Sequence, residues 1–274
     1  MLGAFCGAGW AANAQAATYL YRSPVYGLAN APVASAPATD PDWSDVVLLL
    51  QMEGTPGSGV FTDSSSLANN GSSANTASAY LTAQTHKFGT GAGAFTGAVD
   101  SYVAFSAAPY QFGTNTDFTI EGWVYPTWAS GCSGLKTFMS QWASADAGQW
   151  FFGADCSTDE VVLTVSAYSI YSDWLVGTVP LTPNAWNAVA FERQGSTYVL
   201  FVNGQPAVEG TASGYAVGDA ADPNLYMGNY KYAVSVNNAA TAFEGYMDEF
   251  RITKGVARYP LTGYTPASTA FPTQ

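Results

Sequence analysis

Few side chains in this sequence could carry out catalysis. The only histidine, His86, stands beside Lys87 in the turn-like segment THKFGTG. A Ser-His-Asp or Cys-His site needs a histidine held as general base, and we expect His86 to be an exposed loop residue instead. Glycoside hydrolysis needs two facing carboxylates about 5–10 Å apart. Glu244, Asp248 and Glu249 lack the spacing for such a pair, although a pair from separate strands stays open, and we predict a non-enzymatic protein.

Hard oxygen ligands occur in two turn-like places. Asp63 opens the segment FTDSSSLANNG, and Asn70 stands near its end. In GYMDEFRIT the apolar positions do not share one alternation, which predicts a β-bulge around Asp248 and Glu249. Because Ca²⁺ prefers carboxylate and carbonyl oxygens from turns, we predict calcium ligands at Asp63, Asn70 and Asp248. The alternative is that these aspartates cap turns by accepting backbone N–H hydrogen bonds.

Aromatic residues are dense between positions 125 and 175, amid Ser, Asp and Gly. Exposed aromatic faces, over which sugar C–H groups stack, are typical of glycan-binding surfaces. Trp128 and Trp174 fall in loop-like segments, so we predict a glycan site at Trp128, Tyr171 and Trp174. The alternative is a core or a subunit interface, where aromatic rings bury the most area.

Composition limits the partners of the chain. The net charge is −12, with Lys and Arg totalling 8, so the clustered basic footprint of a nucleic-acid-binding protein is missing. No apolar run approaches the roughly 18 residues of a membrane span, and we expect a soluble protein. Cys132 and Cys156 lie on either side of a predicted hairpin, and both a disulfide and two buried thiols stay open.

Residues 1–42 are predicted to form an N-terminal arm and linker. Positions 23–42 concentrate Pro, Ala and Ser without periodicity, as linkers do. The arm has one charge and many apolar side chains, and we expect it to dock on another protein or on further copies of the chain through Leu2, Phe5, Trp10, Tyr19 and Tyr21. Residues 1–17 look like a signal peptide but lack Lys and Arg, so a cleaved leader is the alternative.

Residues 43–274 are predicted to form one all-β domain. Short apolar or alternating runs are separated by Gly, Asn, Asp and Ser clusters, a pattern typical of antiparallel sheets. The predicted strands are 46–52, 101–105, 117–126, 137–142, 149–154, 160–167, 186–193, 196–204 and 244–253. In 117–126 alternation puts Phe118, Ile120, Gly122 and Val124 on one face. A Gln-Gly-Ser turn joins the strands of a hairpin, and Asn-Gly begins the next tight turn.

Six segments resemble the laminin-G-like group of concanavalin-A-like jelly rolls, especially the copies in bacteriophage virion proteins. In chain order they are VLLLQMEG with FTDSSSLANNGSS, KFGTGAGAFTGAVDSYVAF, DFTIEGWVYPT, NAWNAVAFERQGSTYVLFVNGQ and GYMDEFRITKGVARY. The resemblance extends over about residues 46–259 and implies two antiparallel sheets packed face to face. It also implies that Asp63 and Asp248 lie near a bound calcium.

The resemblance and the arm together predict a virion surface protein, such as a tail fibre, a spike or a capsid decoration. In this hypothesis the arm binds other virion proteins or forms a homo-oligomer, and the sandwich faces solvent and binds host glycans. The alternative is a secreted lectin or glycan-active enzyme. Enzymes of this fold that cleave β-glucans typically carry Glu-x-Asp-x-x-Glu on one strand, a pattern that Glu244, Asp248 and Glu249 do not form.

Overall fold

A computed structural model describes residues 39–142, 149–167, 170–211, 217–218, 224–232, 235–236 and 239–274. In these residues the protein is built from antiparallel strands, joined by single turns of 3-10 helix at Trp43–Asp45, Ala108–Tyr110 and Ala239–Thr241. The predicted all-β class with two antiparallel sheets is confirmed. No helix of the described part is long and apolar enough to cross a membrane.

The first sheet has eight strands, seven of them in one continuous order. That order is β14 (Gln205–Thr211), β13 (Thr197–Val202), β12 (Asn187–Gln194), β7 (Phe118–Pro126), β18 (Glu244–Lys254), β5 (Ala92–Thr96) and β4 (Ala79–Thr82), while β1 (Val46–Leu50) pairs with β18.

The second sheet also has eight strands. Its order is β11 (Ile170–Pro180), β10 (Glu160–Ala167), β9 (Gln149–Asp155), β8 (Leu135–Gln141), β15 (Asn224–Met227), β6 (Val103–Ser106), β3 (Gly71–Ser73) and β2 (Val60–Phe61). A separate two-stranded ribbon joins β16 (Lys231–Tyr232) and β17 (Ser235–Val236). All nine predicted strands are present, with ends within two residues of the prediction.

One apolar core fills the space between the two sheets. Phe118, Ile120 and Val124 of β7 point into it, as alternation predicts, and Phe138 and Phe152 enter from the second sheet. Phe138 and Phe152 meet edge to face at 5.4 Å between ring centroids, an arrangement that aromatic pairs prefer. Burial of each such ring stabilises the fold by about 2–3 kcal/mol, so the alternation of apolar residues is the main cause of this architecture.

Local turn chemistry sets the register of the edge of the first sheet. Strands β12 and β13 pair from Gln194 with Thr197, and the turn between them holds Gly195 at φ +57°. Asn203 and Gly204 follow with φ of +51° and +78°, which are the positive values of a two-residue hairpin turn. Both predicted turns are therefore confirmed.

The predicted bulge lies in the middle of β18. The register against β7 shifts between Asp248 and Arg251, and Glu249 has φ +51°. On one side of the bulge β18 pairs with β5, and on the other it pairs with β1. The bulge thus lets one long strand join two neighbours.

The segment after β18 covers part of the outer face of the first sheet, the face turned away from the core. Tyr259 and Tyr264 stack at 3.6 Å between centroids and pack on Phe201. Near them Arg251 forms ion pairs of 2.7 Å with both Asp40 and Glu121. Asp40, which belongs to the predicted linker, is therefore fixed to this face.

Cys132 and Cys156 form a disulfide, which decides between the two alternatives left open by the sequence.

Candidate functional site

A row of aromatic side chains crosses a part of the outer face of the first sheet that the segment after β18 leaves uncovered. Tyr80 of β4 pairs with Ala94 of β5, Ala94 pairs with Tyr246 of β18, and Tyr246 pairs with Tyr125 of β7. Trp186 comes next, immediately before β12. We call Tyr80, Tyr246, Tyr125 and Trp186 the aromatic row. Residues paired across antiparallel strands have side chains on the same face, so the row follows from register.

Strand alternation turns the aromatic row outward. Leu81, Val124 and Met247, which are sequence neighbours of three row residues, all belong to the core between the sheets. Successive side chains of a strand point to opposite faces. The four residues are consequently half-buried and not part of the core.

The rings of the row support one another through edge-to-face contacts. The ring of Tyr125 lies 5.5 Å from that of Trp186 and 5.9 Å from that of Tyr246, with interplanar angles of 67° and 72°. Such contacts contribute about 0.5–1.5 kcal/mol each beyond the area that they bury. The central ring is thereby held in place before any ligand arrives.

A depression of about 270 Å³ opens beside Tyr246. Its wall includes Tyr80 and Tyr246, and the small side chain of Ala94 leaves space between these two rings. Polar groups are contributed at the rim by Thr96, Thr127 and Glu244. Ligand sites combine aromatic walls with a few polar groups, and those for drug-sized ligands have volumes of about 300–1,000 Å³. The depression therefore fits a group about the size of one sugar ring.

Gly245 allows β18 to approach β7 closely at the centre of the row. Its φ is +141°, and a Cβ atom at this position would lie 2.1 Å from the carbonyl oxygen of Tyr125. Only glycine tolerates both the backbone conformation and this distance. The pairing of Tyr246 with Tyr125 thus depends on Gly245, which also lines the depression.

A loop covers the next aromatic residue along β7. The ammonium of Lys87 lies 4.0 Å from the ring centroid of Trp123, and the ring of Phe88 meets it at 5.8 Å. Asp248 fixes this loop, since its Oδ2 accepts hydrogen bonds from the backbone N–H groups of Lys87 and Phe88. Trp123 is accordingly buried, and along β7 the open aromatic surface ends at Tyr125.

The predicted calcium residues Asp63 and Asn70 organise a loop. Asp63 is buried and accepts hydrogen bonds from the backbone N–H groups of Leu49, Ser65 and Asn69, and Asn70 accepts one from the N–H of Asp63. This arrangement corresponds to the capping alternative. Within the described ranges, no three His, Cys, Asp or Glu residues gather as a group able to hold a metal.

The third predicted ligand, Asp248, is also buried and satisfied by the backbone. Burial raises its pKa to about 7, although the N–H groups of Phe88 and Lys87 act in the opposite direction. Burial likewise raises the pKa of the adjacent Glu249 to about 8, and Glu249 accepts a hydrogen bond from the N–H of Phe271. The calcium site stays a prediction, and the two side chains hold a loop and the C-terminal segment in place.

The prediction that Trp128 is an exposed stacking surface is wrong. Its side chain lies in the core between the sheets, where its ring meets Phe243 at 5.9 Å and its indole N–H donates a 2.8 Å hydrogen bond to Asp159. Although Trp128 follows β7 in a loop, the loop turns inward. A sugar therefore has no access to its ring.

The two other predicted glycan residues lie on a strand. Trp174 pairs with Thr164 and Tyr171 pairs with Ser166, both within β11. The loop assignment of Trp174 is therefore wrong, and the side chains of both residues lie outside the described part of the structure. The predicted arm residues, Leu2, Phe5, Trp10, Tyr19 and Tyr21, lie outside it as well.

Sequence reasoning missed the aromatic row. Alternation along β7 does put Tyr125 opposite the core face, so one member could have been found from the sequence. The other members come from β4, from β18 and from the residue just before β12, which are distant in sequence and meet only through sheet order. The pairing of strands, more than any local pattern, builds this surface.

Comparison with known proteins agrees with the observed architecture. The sequence profile of the Laminin_G_3 family, described as the concanavalin A-like lectin/glucanases superfamily, matches residues 95–258, more than half of the chain. No curated protein sequence matches the chain. The three similar structures described next share at most 14% identity with it, which shows a common fold alone.

All three structures are binding domains. The binding domain of Paraclostridial Mosquitocidal Protein 1 aligns with a TM-score of 0.59 at 12% identity, over 79% of this chain and 50% of that domain's chain. The binding domain of botulinum neurotoxin serotype G aligns with a TM-score of 0.57 at 13% identity, over 79% of this chain and 49% of the other. The binding domain of botulinum neurotoxin DC, in complex with rat synaptotagmin II, aligns with a TM-score of 0.51 at 14% identity, over 77% of this chain and 48% of the other. The chain spans about half the length of these structures.

Proposed function

Because the chain belongs to the concanavalin A-like lectin/glucanases superfamily, we propose that it is a non-enzymatic glycan-binding protein whose binding surface is the aromatic row. The single observation that carries this proposal is the register that aligns Tyr80, Tyr246 and Tyr125 on one open face. Trp186 extends that face beyond Tyr125.

The chemistry of the row suits sugars. A sugar ring has an apolar face of C–H groups and an edge of hydroxyl groups. The half-buried rings of the row offer apolar contact, and the hydroxyls of Thr96 and Thr127 with the carboxylate of Glu244 offer hydrogen bonds beside it. Few polar groups on an aromatic surface give orientation without a deep pocket.

The number of carboxylates at the depression supports glycan binding over glycoside hydrolysis. Glycoside hydrolases use two carboxylates that face each other across the scissile bond. Of the residues that line the depression, Glu244 alone carries a carboxylate. The similar structures named above are themselves binding domains.

We further propose that the protein is displayed on the surface of a bacteriophage virion, as a tail fibre, a spike or a capsid decoration. In this proposal residues 1–42 bind other virion proteins, and the sandwich meets host glycans. The resemblance of GYMDEFRITKGVARY to virion sequences and the apolar arm support it. Immunogold labelling of purified particles tests it, with labelling expected for the full chain and lost after deletion of residues 1–38.

A secreted lectin is the second candidate. The disulfide between Cys132 and Cys156 favours exposure to an oxidising environment, which a secreted protein shares with a released particle. Mass spectrometry of the mature protein separates the candidates, because loss of residues 1–17 favours secretion.

A glycan array tests the binding proposal. We expect the purified protein to bind at least one glycan, and Tyr246→Ala to lower that signal by about tenfold or more, as the loss of a central aromatic contact does. Tyr102→Ala is the matched control, since Tyr102 is a half-buried tyrosine packed on Tyr226 of the second sheet. Equal signals from all three proteins, or no binding to any glycan, would overturn the proposal.

A further inference from the structure

We infer that the aromatic row binds an extended, uncharged glycan chain that lies across the strands, with several sugar units in contact at once. This inference rests on the proposed function and adds the class of ligand. It depends on three features of the row: its length, the position of the depression and the charge at its rim.

The row is long compared with one sugar ring. It extends across five consecutive strands of the first sheet, from Trp186 just before β12, over β7 and β18 and past Ala94 of β5, to Tyr80 of β4. Neighbouring strands are about 4.8 Å apart, so the row extends over roughly 19 Å across the strands. A single terminal sugar would contact one or two of the rings and leave the others exposed. A chain that runs perpendicular to the strands would contact all of them.

The depression lies within the row and not at its end. Ala94, only 5% exposed, separates Tyr80 on one side from Tyr246 on the other. A sugar unit seated over Ala94 would therefore have ring contacts on both sides, and its neighbours in the chain would continue over Tyr246 and Tyr125. This geometry favours an internal segment of a chain over a chain end.

The charge at the rim opposes acidic sugars. Glu244 is exposed and lines the depression. Lys136 interacts with it electrostatically but is itself buried, so the carboxylate is the charge that a ligand meets. The net charge of −12 acts in the same direction at long range. A carboxylate accepts hydrogen bonds from neutral hydroxyls, whereas it repels a uronate or a sialate.

Arrayed oligosaccharide ladders test the inference. The probes are neutral ladders of β-1,4-linked glucose, mannose, xylose and N-acetylglucosamine and of α-1,4-linked glucose, each from two to six units, beside a galacturonate ladder of the same lengths. We expect at least one neutral ladder to bind, with a signal that rises about tenfold or more from dimer to hexamer. The galacturonate ladder is expected to give no signal.

Two variants connect the result to the named residues. Ala94→Leu fills the depression without entering the core, and we expect it to abolish binding of the neutral ladder. Glu244→Gln removes the charge at nearly constant shape, and we expect the ratio of galacturonate to neutral signal to rise by about threefold or more. Circular dichroism and thermal unfolding confirm that both variants fold, and Tyr102→Ala again serves as the control.

The outcomes separate this inference from the proposed function. Binding that is equal for dimer and hexamer, or strongest for galacturonate, overturns the inference even if Tyr246→Ala removes it. Binding of the neutral ladder that is unchanged by Ala94→Leu also overturns the inference. If neither the ladders nor any glycan of a general array binds, the proposed function itself fails.

Discussion

Asp40 and Arg258 form a two-point ion pair, with Nη1 donating to Oδ1 at 2.9 Å and Nη2 donating to Oδ2 at 3.0 Å. Oδ2 of Asp40 also accepts a 2.7 Å hydrogen bond from Arg251. One carboxylate at the start of the described chain thus holds two guanidinium groups against the outer face of the first sheet. The pair joins the residues before β1 to the segment after β18.

Replacing Asp40 by Ala is expected to destabilise the protein by about 3–5 kcal/mol, because it leaves two buried guanidinium groups without this partner. Urea unfolding measures the change. Asp45→Ala, at a more exposed acidic residue of the adjacent 3-10 helix, should change stability by less than about 0.5 kcal/mol. A loss from Asp40→Ala as small as that of the control would contradict a structural role of the ion pair.

The lowered pKa of Asp40 predicts that the free energy of unfolding decreases in acid. Burial alone would raise its pKa, but the hydrogen bond from Arg258 and the charge of Arg251 lower it below the ordinary value of 3.8. A lowered pKa contributes stability above the unfolded-state pKa, and this contribution is lost as pH falls through the folded-state pKa. The free energy of unfolding of the native protein should therefore approach that of Asp40→Ala as pH falls below 3.8 and through the lower folded-state pKa.

Glu192 predicts a pH effect of opposite sign. Its Oε2 accepts hydrogen bonds from Thr119 and from the N–H of Tyr259, while its buried Oε1 has no partner among the described residues. Burial raises its pKa from 4.5 to about 7. Its stabilising contribution is complete below about pH 4.5 and is lost as pH rises through 7.

Glu192→Gln keeps one oxygen acceptor for both donors and has no charge to bury. We expect its advantage over the native protein to grow from pH 5 to pH 9, up to about 3 kcal/mol. Thermal unfolding across this range measures the difference. A difference between the two melting temperatures that does not vary with pH would show that Glu192 stays charged throughout.

The disulfide predicts a redox-dependent stability. Cys132 and Cys156 are 24 positions apart, and closing a loop of this length stabilises a fold by about 3 kcal/mol. Cys156→Ser together with Cys132→Ser should lower the free energy of unfolding by about that amount, as should reduction of the native protein. Thiol titration of the unreduced, denatured protein should find no free thiol at Cys132 or Cys156. Three free thiols would disprove the bond.

Gly245→Ala should disturb both stability and the aromatic row. The added Cβ would meet the carbonyl oxygen of Tyr125 at 2.1 Å, so β18 and β7 must separate there. We expect a loss of about 2–4 kcal/mol in urea unfolding, from the clash together with backbone strain. Gly57→Ala is the control, since Gly57 also has positive φ but no atom within 4 Å, and it should cost only about 1–2 kcal/mol. Equal losses would mean that the close approach at Tyr125 is unimportant.

The elements that the sequence predicted correctly are those that local chemistry determines. The inward face of β7, the turns at Gly195 and Gly204 and the bulge at Glu249 depend on alternation or on positive φ, and both can be read over a few residues. Edge strand β11 was missed because Ser, Asp, Gly and Thr interrupt its apolar alternation. A strand can be predicted from the sequence where one of its two faces is continuously apolar.

The candidate site was much less predictable. Trp128 was expected to be exposed because it lies in a loop, but position in a loop does not decide burial, and its ring packs on Phe243. Tyr80 and Tyr246 are more than 160 positions apart in sequence and share a surface only because β5 lies between β4 and β18. Nothing in the residues near either tyrosine encodes that order of strands.

A crystal structure of the protein with its strongest array glycan tests the central claim most directly. We predict that electron density for the sugar lies across the rings of Tyr246 and Tyr125 and enters the depression at Ala94. Density for the glycan on the second sheet, beside β11, or at the loop of Asp63 would contradict the assignment of the aromatic row as the binding surface.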